Sequence, residues 1–115
     1  MEQNEVRELV AAAQNSVGLA YWDATDEEVK GILMELGIDL DEVFTYLNQE
    51  DLASRTKEFT LAADTMSTSV LPGIKKLNER VEKIIQVEGS VKTALADAMK
   101  LSQSVSFFSI PALPL

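Results

Sequence analysis

Carboxylates dominate the side chains of this sequence that are able to act as acids, bases or ligands. Asp and Glu total 19 against ten Lys and Arg, and there is no His and no Cys. Without His the usual general base near neutral pH is missing, and so is every Ser-His-Asp or Cys-His arrangement. Zinc would depend on carboxylates alone, and di-iron bundle sites call for a Glu-x-x-His motif that the chain lacks. A carboxylate pair across a cleft can hydrolyse glycosides. Here one Trp and two Tyr leave little material for a sugar platform. The acids also fall in first turns and loops, where helix capping and the helix dipole account for them.

Two short runs imitate ligand sites and fail on inspection. Asp39-Leu40-Asp41-Glu42 begins like a calcium loop, but Val43 takes the third ligand position and no glycine follows. The five glycines stand singly at 18, 31, 37, 73 and 89, so no phosphate-cradling loop exists. The basic group Lys75-Lys76, Arg80 and Lys83 is interleaved with acids and reads as a solvated face. The sequence therefore assigns no catalytic, cofactor-binding or metal-binding residue, and the expectation is a protein that is not an enzyme.

The elements that position these side chains are helical. In the first segment Val6, Val10, Ala13, Val17 and Ala20 recur at steps of four and three, ending near Tyr21 and Trp22. The second is predicted to open with Thr25 as N-cap and Glu28 at N3. It carries Val29, Ile32, Leu33 and Leu36, and Gly37 is suited to close it. A third is predicted from Asp39 or Asp41 to about Val70, with Leu52, Thr56, Phe59, Ala63, Met66 and Val70 on one edge. Leu71-Pro72-Gly73 is predicted to interrupt it. The fourth keeps the same rhythm from Ile74 through Leu77, Val81, Ile84, Glu88, Val91, Leu95, Ala98 and Ser102 to Val105. Glu79 with Lys83 and Glu88 with Lys92 are spaced as i,i+4 ion pairs.

The predicted fold is all-α: a short N-terminal helical pair (1–38) packed against one end of a long, coiled-coil-like antiparallel hairpin (39–105) that turns at 71–73. An apolar extended tail (106–115) follows, and the whole is read as one domain. The run Leu33-Met34-Glu35-Leu36-Gly37-Ile38 followed by 39–47 resembles the first helix, loop and second helix of ubiquitin-associated domains. Leu36 and Ile38 stand where Met and an aromatic are typical there, and the family is not assigned.

Charge divides the chain. Residues 1–51 hold thirteen acids and two bases, whereas 52–115 hold six acids and eight bases. A front half of net −11 repels nucleic acid and favours a basic partner surface. The N-terminus shows no signal-peptide pattern, and no uncharged stretch reaches the roughly 20 apolar residues of a membrane span, so a cytoplasmic location is expected.

The expected function is a helical protein–protein interaction module (adaptor, assembly factor or inhibitor). Its expected contact residues are the tail's Phe107, Phe108, Ile110, Leu113 and Leu115 and the acidic Asp23, Asp26, Glu27, Glu28, Asp39, Asp41 and Glu42. Self-association along the long seam is a variant. A subunit of a helical filament or secretion-type assembly, and an acidic decoy of a nucleic-acid-binding protein, are the alternatives.

Overall fold

The structure, a computed structural model, describes residues 1–109; Ile110, Leu113 and Leu115 of the predicted contact set lie outside the described residues. Among the described residues every regular element is helical. Helix α1 spans Gln3–Asp23, and its buried residues are Val6, Val10, Ala13, Val17 and Ala20, the whole predicted stripe. Val6, Ala13 and Ala20 lie seven apart, so the edge stays narrow and small side chains let neighbours approach closely.

Helix α2 spans Glu27–Leu47 and departs from the sequence reading at both ends. Its N-cap is Asp26, whose Oδ1 accepts from the Val29 amide at 2.9 Å. Thr25 turns elsewhere: its amide and Oγ1 both donate to Glu88 Oε1, at 2.7 and 3.2 Å. Gly37 does not end the helix. Buried Leu40, Val43 and Leu47 continue the stripe of Val29, Leu33 and Leu36, and burying that second half outweighs the helix-ending tendency of one glycine. A Cβ on Gly37 would lie 3.6 Å from Val17 Cγ1, so the glycine marks close packing of α1 on α2. Asp39 and Asp41 consequently sit inside α2, with no boundary at residue 38 and no helix–loop–helix joint there.

The connection to the third arm is tied to the N-terminus by one side chain. Gln3 Nε2 donates to the carbonyls of Leu47 and Gln49, at 2.9 and 2.7 Å, and its Oε1 accepts from the Leu52 amide at 3.0 Å. Asp51 adopts the left-handed region (φ 53°) before a 3₁₀ turn at Leu52–Ser54.

The third arm runs through α3 (Thr56–Thr65), a π turn (Met66–Val70) and α4 (Leu71–Val81) without interruption. Leu71-Pro72-Gly73 is therefore not the hairpin turn. Leu71 donates its amide to the Met66 carbonyl five residues back, which is π geometry. The wider turn gives the Pro72 ring room, and Pro72 falls in the first turn of α4, where a missing amide is tolerated. The reversal lies instead at residues 82–88, between α4 and α5 (Gly89–Met99). A 3₁₀ segment (Lys100–Ser104) and a last turn, α6 (Val105–Phe108), complete the fourth arm.

The hairpin arms are thus 56–81 and 89–108. The N-terminal pair lies alongside them rather than capping one end, since α1 packs chiefly on α2 and α5, and α2 on α3 and α4. Neighbours run antiparallel: Gln14 meets Asp41, Ser16 meets Asp97, and Arg80 meets Asp26. The core fills the space between the four arms with Leu33, Leu36, Leu40, Met66, Ile74, Leu77, Leu101 and Phe108, each at most 2% exposed.

Candidate functional site

The predicted acidic surface does not form one patch. Asp26 and Glu28 are engaged by Arg80, whose Nη2 lies 2.6 Å from Asp26 Oδ2 and whose Nε lies 2.9 Å from Glu28 Oε2. The Arg80 hydrogen bonds, reinforced by the Val29 amide, hold the Asp26 carboxyl down from 3.8 to about 2. Asp41 faces α1, accepting from Gln14 Nε2 at 3.0 Å, while Glu42 faces α3 and accepts from Thr65 Oγ1 at 3.4 Å. Asp39 lines a small cleft with Thr68, Pro72 and Lys76. Burial there raises its pKa, with Glu42 and Glu35 adding to the rise. Asp23 and Glu27 are exposed. Among the described residues no three carboxylates come together in an arrangement able to hold a metal ion.

The described part of the tail is used internally. Phe108 is 2% exposed. Phe107 is half-buried, and both rings pack on Phe59, with centroids 5.7 Å (Phe107) and 6.1 Å (Phe108) from it. Residues 105–108 are helical rather than extended. These two phenylalanines close the bundle end where α3 begins.

An apolar groove of about 540 Å³ lies along α1 and α2. From α1 it takes Gln14, Val17, Gly18, Tyr21 and Trp22, and from α2 Leu33, Met34, Gly37, Ile38 and Asp41. Trp22 is 80% exposed, Ile38 63% and Met34 51%. Gly18 and Gly37 carry no side chain, which deepens the groove between the helices; a Cβ at Gly18 would meet nothing within 4 Å. One wall holds a cation over an aromatic ring, with Lys30 Nζ 5.1 Å from the Tyr21 centroid. The indole of Trp22 meets Tyr21 edge-on at 5.4 Å.

No family model matches the chain, and neither does any curated protein or solved structure. The site therefore stands on its own geometry. Nothing in it places a nucleophile beside a base, or two carboxylates across a cleft of matching chemistry. Its lining is apolar side chains, two glycines and the hydrogen-bonded pair Gln14 and Asp41.

Sequence reasoning missed this groove because periodicity finds the buried edge of a helix, not the apolar residues left outside it. The available signal was the excess: Trp22, Met34 and Ile38 are large apolar residues off the predicted stripes. Among the described residues no helix is long and apolar enough to cross a membrane.

Proposed function

We propose that this chain is a non-catalytic helical interaction module whose contact surface is the α1–α2 groove. The observation that carries the reading is the exposure of Trp22, Met34 and Ile38 around one glycine-floored groove, whereas the other strongly exposed large apolar residues, such as Leu19 and Ile85, do not line it. Each large apolar side chain left in water forgoes roughly 1.5–3 kcal/mol of burial, so their clustering favours a partner. Trp and Met suit such a surface. The first is a large rigid anchor and the second adapts to irregular partners.

The test compares the natural chain with a Trp22→Ala, Met34→Ala double variant in quantitative affinity capture from the native host extract. Both positions are exposed, so the variant is expected to keep its helicity and melting temperature. Loss of the specifically retained proteins supports the groove. Retention of the same proteins at the same level by both forms overturns it.

A further inference from the structure

We infer that Met34 is an oxidant-responsive site, a thioether whose conversion to the sulfoxide withdraws apolar surface from the α1–α2 groove and leaves the fold intact. Its chemistry rests on composition and burial, and its consequence rests on the groove reading above.

Composition comes first. The chain has four Met and no Cys, so no thiol competes for a two-electron oxidant and the thioethers are its softest nucleophiles. Burial then separates the four. Met66 is 0% exposed, on the π turn and within the core, and an oxidant reaches it only when that region opens. Met99 is half-buried against the core. Met1 is 45% exposed, but it lies beside Glu5, Glu8 and Gln103, outside the groove. Met34 is 51% exposed and, of the four, alone lines the groove. It stands one turn from Ile38 on α2, and the space over Gly18 on the facing helix is open to a small oxidant.

The reaction with hydrogen peroxide balances within the two molecules. A lone pair of Sδ attacks one peroxide oxygen, the O–O bond breaks and an S–O bond forms. The proton of the attacked oxygen passes to the departing one, which leaves as water; sulfur gives up two electrons and the peroxide accepts them. A polar sulfoxide replaces a flexible apolar side chain. At a half-exposed position its oxygen keeps its water, so folding is not opposed, whereas anything covering the groove must strip that water away. Reduction needs the dithiol of a separate reductase, since the chain has no Cys of its own.

The test treats the full chain with hydrogen peroxide and follows each methionine by peptide mass mapping. Helicity, melting temperature and binding of the neutral apolar dye Nile red are measured before and after. Met34 is expected to oxidise at least about tenfold faster than Met66, and faster than Met99. Trp22→Ala is expected to weaken dye binding to the untreated chain, which locates the dye in the groove. Oxidation is expected to weaken it at least about fivefold at an unchanged melting temperature. The two methionine sulfoxide reductases, one for each epimer, are expected to restore it. Met34→Leu, which nearly keeps the volume and removes the sulfur, should bind the dye as before and ignore peroxide. Met34→Gln should bind it weakly without any peroxide.

Met34 oxidising no faster than Met66 or Met99 overturns the inference and leaves the groove reading standing. Selective oxidation with dye binding unchanged, or a peroxide response that persists in Met34→Leu, does the same. A fall in melting temperature with oxidation confined to Met34 overturns the inference by showing that the fold needs the thioether. No dye binding, or binding that Trp22→Ala leaves untouched, overturns the groove reading and with it the consequence assigned to Met34.

Discussion

Arg80 reaches across from α4 to grip both carboxylate oxygens of Asp26, with Nε 3.2 Å from Oδ1 and Nη2 2.6 Å from Oδ2. The same Oδ1 caps α2 through the Val29 amide. One carboxylate thus starts a helix and joins it to the third arm.

This sets the acid response of the fold. Asp26 is held below its ordinary 3.8, at about 2, so its contribution is complete above about pH 4 and is lost as the pH falls through about 2. Glu88 is lowered chiefly by the Thr25 amide and acts in the same direction. Asp39 has the opposite sign. Burial raises its pKa, so acidification from neutrality towards 3.8 relieves a buried charge and adds stability. Urea midpoints measured against pH should rise on approach to about pH 4 and fall between about 4 and 2. Asp39→Asn should flatten the rise and Asp26→Asn the fall; a profile unchanged by either variant contradicts the assignment.

Gln3 joins three backbone groups of residues 47–52 to the start of α1. Gln3→Ala leaves the Leu52 amide and two carbonyls seeking water, at about 1 kcal/mol each where water is hindered. A loss of about 2 kcal/mol in chemical denaturation is expected, with faster amide exchange at Leu52. A loss under about 0.5 kcal/mol would mean that water replaces the side chain freely.

Gly18 and Gly31 lie in helix interiors with open space beside them. Gly18→Ala and Gly31→Ala should each stabilise the protein by about 0.5–1 kcal/mol, because Ala loses less backbone freedom on folding. Gly73→Ala should gain less, since its Cβ would come 3.4 Å from Leu36 Cδ1. Thermal melting of the three variants checks the order.

Phe108→Ala removes a ring from the closed end of the core and should cost about 3–5 kcal/mol, well above the cost of Phe107→Ala at its half-buried position. Truncation after Ser106 would remove both rings from Phe59, so a loss of partners in that variant would report unfolding before docking. Calorimetry of the two point variants separates these effects.

How far the sequence carried the fold varies by element, for physical reasons. The α1 stripe was fully legible because one helix edge meets one core, and spacing alone encodes that. The middle of the chain was legible in type but not in bounds. Gly37 and Pro72 are strong local punctuation, yet burial of Leu40 and Val43 carries α2 past the first, and the π turn at Met66–Val70 accommodates the second. At residues 82–88 the apolar rhythm runs on through Ile84 and Glu88 although the chain reverses there. Glu88 had marked the place, as a carboxylate on an apolar edge; its role in accepting from Thr25 depends on a loop 63 residues away. The groove was least legible, since it exists only once α1 and α2 lie side by side.

The seating of α5 against α1 also bears on how the chain comes into being. Residues 89–99 cover a side of α1 that α2 leaves open, so α1 is synthesised well before the helix that completes its packing. Until then Val6, Val10 and Ala13 remain partly bare on a nascent chain whose net negative charge is greatest over that stretch. Like-charge repulsion between neighbouring nascent chains would oppose their association while the bundle is unfinished.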